Sequence, residues 1–153
     1  MSELKEYFFT WFSSSILTLK EELGLARGLE ISESLWKRLA EDLFPVFNEK
    51  IKIEEENELA VTVTFISKVL TDILGVNDVE TTIGGDSASL KLNDCPFWKI
   101  IKEKKLPLAT HNLAITFIET LGRLKNPGLI FDKIGMKTMA QGGDYCEYIW
   151  KLF

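Results

Sequence analysis

The fold of this chain is decided by one stretch, Thr81-Thr82-Ile83-Gly84-Gly85-Asp86-Ser87-Ala88-Ser89-Leu90-Lys91-Leu92. Its centre, Gly84-Gly85-Asp86, has the chemistry of a tight turn, because glycine and aspartate tolerate positive backbone φ. The segments on either side, residues 81–83 and 87–92, have the composition and length of short strands. The stretch therefore predicts a β-hairpin.

A second hairpin is predicted near the C-terminal end. Residues 129–139 and 144–152 form its two arms, and Gln141-Gly142-Gly143 joins them. Strands that come in hairpins form an antiparallel sheet, and one face of that sheet must be covered by amphipathic helices. We therefore predict a mixed α/β protein of the α+β type.

Helices are predicted in the N-terminal part, where apolar residues recur every three or four positions. Over residues 3–23 this spacing predicts one long helix, which Gly24 and Gly28 together would end. A second helix is expected to begin near Ser32, whose hydroxyl can cap free backbone amides. Pro45 either kinks this second helix or starts a separate turn.

Three more helices are predicted further along the chain. Residues 57–74 also alternate like a strand over 60–65, but their length and the stop at Gly75 favour a helix. Two helices, over about 95–104 and 107–125, lie between the hairpins. The predicted order is three helices, hairpin, two helices, hairpin.

Length and composition are those of one domain. The chain has 153 residues, of which 46% are hydrophobic, so it can bury a substantial core. No low-complexity tract or linker composition divides the sequence. We predict a single domain over residues 1–153, with a helical part at 1–75 and a mixed part at 76–153.

Charge and apolar runs exclude some classes of partner. A net charge of −5 argues against binding nucleic acid, which needs clustered positive charge. The apolar runs are far shorter than the ~20 residues of a membrane span. Residues 1–6 lack the basic and apolar segments of an export signal, so we expect a cytoplasmic protein with reduced thiols.

Cys95 is the first candidate for chemistry. Asp94 is a plausible N-cap, which would place Cys95 in the first turn of a helix, close to unpaired backbone amides. That position favours a thiolate, which is the nucleophilic and metal-binding form of cysteine. The alternative is a small buried side chain that closes a strand-to-helix corner before Pro96.

His111 and Cys146 are the other candidates, and both are predicted to face the interior. His111 shares its helix face with apolar residues, namely Ala114, Ile115 and Ile118. Cys146 alternates in phase with the bulky residues of the last strand, namely Tyr148, Trp150 and Leu152. The three candidates therefore approach one another if the helices and the sheet meet there; otherwise each is a core residue.

Such a cluster suits two chemistries. Three soft ligands with an open fourth position are typical of catalytic zinc, and a thiol beside an imidazole is typical of a nucleophile with its base. Four aromatic residues near the thiols either line an apolar ligand pocket or belong to the core: Phe97, Trp98, Tyr145 and Tyr148.

Several short motifs resemble those of the L-2-amino-thiazoline-4-carboxylic acid hydrolase family over roughly residues 76–153. The motifs are Asn93-Asp94-Cys95-Pro96-Phe97, Leu106-Pro107-Leu108, Asn126-Pro127-Gly128 and Met139-Ala140-Gln141-Gly142-Gly143-Asp144-Tyr145-Cys146-Glu147-Tyr148. Members of that family often carry a cysteine near the start of the intervening helix, where this chain has His111.

The C-terminal motif is also similar, over about residues 135–150, to the 4-vinyl reductase domain. That resemblance implies a small-molecule or metal sensor with helices packed on an antiparallel sheet. Such domains commonly pair through helices, so the aromatic residues 7–12 are expected to form a homodimer surface.

Two functions follow from these resemblances. The first is a hydrolase that opens a carbon–nitrogen or thiazoline-type ring. In this hydrolase, Cys95 either attacks an amidine-like carbon of the substrate or binds a metal ion that activates water. His111 transfers protons, and Asp144 orients the imidazole or the substrate. The second is a non-catalytic module that binds a small ligand or a metal ion in the cleft between helices and sheet.

Overall fold

The sheet consists of two antiparallel pairs that share its centre. In the computed structural model, which describes residues 2–153, β1 (Val79–Ile83) pairs with β2 (Ser87–Leu92) across the predicted tight turn. β3 (Leu129–Phe131) pairs with β4 (Cys146–Leu152), and the strand order is β1-β2-β4-β3. The first predicted hairpin and the antiparallel sheet are confirmed.

Alternation along β2 and β4 determines which side chains face the helices. In their register, Leu92 lies opposite Cys146 and Leu90 lies opposite Tyr148, and all four side chains are buried. The predicted inward phase of β4 is therefore confirmed up to Trp150. It is wrong for Leu152, which is 43% exposed at the end of the strand.

The second hairpin differs from the prediction. β3 has only three residues, and residues 132–145 form a long connection with one short 3₁₀ turn at Met139–Gln141. The reason lies at Asp132, whose carboxylate accepts hydrogen bonds from the backbone amides of Ile134 and Gly135. These bonds turn the chain immediately after β3.

Five α-helices are found among residues 2–153, and the third and fifth of them make the main helical contacts with the sheet. They are α1 (Ser2–Leu23), α2 (Leu25–Lys50), α3 (Glu58–Lys68), α4 (Pro96–Glu103) and α5 (His111–Lys125). α3 continues into one π-helical turn, Val69–Ile73, so the helical interpretation of residues 57–74 is confirmed. The α+β fold class is confirmed as well.

The boundary between α1 and α2 corrects two predictions. Gly24, with a φ of 79°, is the residue between the two helices, and α2 begins at Leu25 and not near Ser32. Gly28 lies inside α2, where an added Cβ would come within 2.9 Å of the Leu19 backbone. Gly28 is needed for the close packing of α2 on α1 and does not end a helix. α2 also continues as one helix through Pro45.

The core connects the N-terminal helices to the C-terminal half. Trp36 of α2 makes edge-to-face contacts with Phe12 of α1 and Phe117 of α5, at ring-centroid distances of 5.2 and 5.8 Å. Phe97 of α4 packs on Phe12 at 5.2 Å. A single cluster of buried apolar residues runs from α1 to β4. That residues 1–153 form a single domain stays a prediction.

One apolar surface remains open between α1 and α2. A groove of about 460 Å³ lies there, lined mainly by Leu4, Tyr7, Trp11, Leu39 and Leu43. Tyr7 is 72% exposed. The homodimer expected from residues 7–12 stays a prediction. Within the described chain, none of the helices has both the length and the apolar character to cross a bilayer.

Candidate metal centre

The three candidate residues all lie where an element of secondary structure begins. Cys95 is the N-cap of α4, with φ −71° and ψ 111°. His111 is the first residue of α5, and Cys146 is the first residue of β4. Because these three starting points meet under the sheet, the three side chains converge although they are far apart in sequence.

Their reactive atoms are close together and buried. The Sγ atoms of Cys95 and Cys146 lie 3.6 and 3.5 Å from the same atom, Nε2 of His111. The two sulfurs and the nitrogen all lie within 4.8 Å of one another. The exposed fractions of Cys95, His111 and Cys146 are 1%, 2% and 0%. We call these three residues the Cys-His-Cys cluster.

The start of α4 differs from the prediction in one detail. Cys95 itself, and not Asp94, occupies the N-cap position, and Asp94 is exposed. Pro96 takes the first helical position, where its missing N–H costs nothing. Pro96 therefore begins the helix one residue later than an Asp94 cap would, and Cys95 turns inward.

The two thiols have opposite electrostatic environments. The pKa of Cys146 is lowered to about 5, mainly because the Cys95 thiol can donate to its sulfur, and further because of His111 and the Met139 amide. That amide donates to the sulfur at 3.4 Å. The pKa of Cys95 is raised well above its ordinary value by the interaction with Cys146 and by burial. In the metal-free protein these shifts favour a thiolate at Cys146 and a protonated thiol at Cys95.

His111 presents one nitrogen to both sulfurs and leaves the other without a partner. Its Nδ1 atom is buried and has no hydrogen-bond partner within residues 2–153. Asp144 is exposed. The expectation that Asp144 orients the imidazole is therefore wrong, because Asp144 makes no hydrogen bond to His111. That Asp144 orients a substrate stays a prediction.

The four predicted ligand-binding aromatics do not form one pocket. Phe97 is buried in the aromatic core against Phe9 and Phe12. Trp98 and Tyr145 are half-buried, and the ring of Tyr145 lies under the ammonium group of Lys91 at 4.2 Å. Hydrophobic packing and cation–π contacts therefore account for these three residues.

Tyr148 is the one aromatic residue of these four whose pKa is affected by the cluster. Its pKa is raised well above the ordinary value, first by burial and then by electrostatic interaction with the Cys95 and Cys146 side chains. Its hydroxyl is buried and finds no partner in the described part of the chain. Tyr148 lies two positions after Cys146 on the inward face of β4, so its phenol belongs to the surroundings of the cluster.

Sequence reasoning missed a cavity beside the cluster. It has a volume of about 410 Å³, and its lining includes Asp94 and Pro96, the chain neighbours of Cys95, with Phe9 of α1 and Val76. Lys5 also lines it and donates a hydrogen bond to the Gly75 carbonyl. No local sequence signal connects α1 to residues 75–96, because only the packed helices bring them together.

The geometry of the cluster fits a soft metal ion. Tetrahedral zinc binds sulfur at about 2.3 Å and nitrogen at about 2.0–2.1 Å, which separates a sulfur from a nitrogen ligand by about 3.6 Å. The two sulfur–nitrogen separations in the Cys-His-Cys cluster are 3.6 and 3.5 Å, and the two sulfurs lie within 4.8 Å of each other. The cluster can therefore hold a metal ion with three protein ligands.

Comparison with protein families and curated proteins gives no information about this site. No family model matches the chain, and no curated protein matches it either. The resemblance to the hydrolase family is therefore carried by the short motifs alone.

Proposed function

We propose that this protein is a non-catalytic metal-binding module that holds a soft metal ion, zinc in the first instance, in the Cys-His-Cys cluster. The observation that carries the proposal is the approach of two buried sulfurs to one ring nitrogen, at 3.6 and 3.5 Å. Thiolate and imidazole are the ligands that zinc prefers in proteins.

Nε2 of His111 is close to both sulfurs, but it can form a good hydrogen bond with only one of them. A ring nitrogen has either one N–H or one lone pair, so Nε2 of His111 can serve one sulfur well but not both. A cation placed between the three atoms would satisfy all of them at once. This is the main reason to prefer a metal ion over a simple network of core side chains.

Burial favours binding over catalysis. Cys95 and Cys146 are 1% and 0% exposed, and neither lines the 410 Å³ cavity beside them. An organic substrate would have to displace core side chains to reach either sulfur, whereas a metal ion is no larger than the space between its ligands.

The pKa values of the two thiols favour binding of a metal cation. The pKa of Cys146, lowered to about 5, favours its thiolate form near neutral pH. Cys95 would give up its proton on binding, so zinc uptake should release a proton and weaken as the pH falls. The Met139 amide, which donates to Cys146, would then support a metal thiolate.

A bound ion would connect parts of the chain that are distant in sequence. Its ligands come from the start of α4, the start of α5 and the start of β4. The ion would therefore hold the helical layer to the sheet, next to the cavity at α4. A sensor role is consistent with this position, because either metal loss or a ligand in the cavity would act on the start of α4.

Metal analysis of untagged protein tests the proposal. We expect one zinc per chain after loading and dialysis, measured by elemental mass spectrometry, and loss of that zinc in His111→Asn and in Cys146→Ala. Asp144→Asn is the control, because this exposed residue belongs to the predicted site by sequence but not by geometry. Substoichiometric zinc in the wild-type protein, or full zinc in both cluster variants, would refute the proposal.

The second candidate is the thiazoline-type hydrolase that the sequence resemblance implies. It is favoured by one observation, the 3.5 Å contact between Sγ of Cys146 and Nε2 of His111, which is within reach of a nucleophile and its base. A turnover assay with 2-amino-thiazoline-4-carboxylate and other cyclic amidines separates the candidates. Activity that His111→Asn abolishes would favour the hydrolase, and no turnover by zinc-loaded protein would favour the binding module.

A further inference from the structure

The two cysteines of the Cys-His-Cys cluster are the only cysteines of the chain. Both are free thiols, and their sulfurs lie within 4.8 Å of each other. A disulfide requires the sulfurs to approach to about 2.05 Å, so the side chains must move closer before the bond can form. The question is whether the local backbone permits this movement.

The ends of the elements provide the necessary freedom. Cys95 follows the exposed Asp94 and precedes α4, so its backbone has no neighbouring strand. Cys146 is the first residue of β4, and the exposed segment 142–144, in which Gly142 has a φ of 91°, ends two residues before it. Cys146 pairs with Leu92, the last residue of β2, so the two thiols can approach each other with loss of at most this terminal pair of the ladder between β2 and β4.

We propose that a peroxide converts Cys95 and Cys146 into an intramolecular disulfide, and that this disulfide and a bound metal ion exclude each other. The exclusion rests on the proposed metal-binding function; formation of the disulfide does not. The exclusion arises because the same two sulfurs can either coordinate a metal ion or form a bond with each other.

The chemistry balances with hydrogen peroxide as the oxidant. One thiolate attacks a peroxide oxygen, the O–O bond breaks, and a sulfenic acid and hydroxide form. The second thiol then attacks the sulfenic sulfur, the S–S bond forms, the S–O bond breaks, and hydroxide leaves as water with the proton of that thiol. In sum, two thiols and one peroxide give one disulfide and two waters.

Oxidation of this pair has a consequence that oxidation of other buried thiols lacks. Oxidation removes two of the three metal ligands at once, so the ion is released and His111 alone cannot retain it. Peroxide is small enough to reach buried sulfur during the local openings that folded proteins undergo. The site would thus report peroxide as loss of metal.

The first arm of the test uses the metal-free, reduced, full-length protein. After treatment with hydrogen peroxide, we expect the intact protein to be two hydrogen atoms lighter, and a peptide pair that contains Cys95 and Cys146 to be linked until a reductant is added. Cys95→Ala and Cys146→Ala are the matched controls, and neither should give the linked pair. Products that carry added oxygen without a link, or a link between two chains, would overturn the proposal.

The second arm uses zinc-loaded protein and a chromogenic zinc chelator. We expect zinc release to follow disulfide formation with the same time course and to be reversed by reduction. Zinc retained by fully linked protein would overturn the exclusion. If the protein binds no zinc but the disulfide still forms in the first arm, the proposed function fails and the disulfide proposal stands.

Discussion

Sγ of Cys146 lies 3.5 Å from Nε2 of His111, although 35 positions separate the two residues along the chain. This contact joins the first residue of β4 to the first residue of α5. Cys95 approaches the same nitrogen from the start of α4. The site therefore depends on how three elements begin, and its integrity should be coupled to the packing of helices on the sheet.

Zinc should stabilise the folded protein through this contact. A ligand at about 100 times its dissociation constant adds about 2.7 kcal/mol to the free energy of unfolding, because it binds only the folded state. We expect the melting temperature of wild-type protein to rise with zinc and that of His111→Asn to stay unchanged. Asn112→Ala, which alters an exposed neighbour on α5, should respond like wild type. An equal zinc response in His111→Asn would mean that the ion binds elsewhere.

Much of the fold was predictable from the sequence because its signals are local. Apolar spacing over residues 3–23 and the turn residues Gly84-Gly85-Asp86 each indicate one structure, and both are observed. Gly28 is different, because glycine both ends helices and permits close helix crossings. Only the approach of the Leu19 backbone decides between these roles.

The site was predictable only where a local sequence pattern determines the direction of a side chain. The alternation of Cys146 with Tyr148 and Trp150 correctly predicts an inward-facing thiol. The role of Asp144 could not be judged, because the direction of a side chain after two glycines depends on the whole connection between β3 and β4. The cavity at α4 also escaped prediction, since its walls come from elements that no motif connects.

The pH dependence of stability should reveal the Cys146 thiolate. Its pKa is lowered from 9.0 to about 5 in the folded protein. Between these values the unfolded chain holds a proton that the folded chain does not, so stability rises with pH. This contribution is fully present above pH 9 and is lost as the pH falls through 5.

Urea unfolding of metal-free, reduced protein between pH 5 and 9 measures this effect. We expect the difference in unfolding free energy between wild type and Cys146→Ala to widen as the pH rises through that window. Taking the difference cancels the titration of carboxylates elsewhere in the chain. A difference that stays constant with pH would show that Cys146 is a neutral thiol in the folded state.

The N-terminus of α3 should depend on one side chain. The Asn57 side-chain oxygen accepts hydrogen bonds from the backbone amides of Leu59 and Ala60, at 3.0 and 3.1 Å. We expect Asn57→Ala to lower the unfolding free energy by about 0.5–2 kcal/mol, the usual cost of losing an N-cap. Asn57→Asp keeps an acceptor in place and should retain most of the stability. Equal losses in both variants would assign the effect to something other than the cap.

The contact between α5 and β4 should tolerate no added methyl group at Gly122. A Cβ there would lie 2.5 Å from Nε1 and 3.0 Å from Cε2 of Trp150, whose indole is buried in the core. Because a buried indole has little room to move, we expect Gly122→Ala to destabilise the protein by about 1–3 kcal/mol in spite of the higher helix propensity of alanine. Gly85→Ala is the control, since a Cβ at Gly85 meets no atom within 4 Å.

Chemical denaturation of both variants measures the effect, and a Gly122→Ala protein as stable as wild type would mean that α5 can shift away from β4. In that case His111 would also move relative to Cys146, and the zinc affinity of Gly122→Ala should fall although its stability does not.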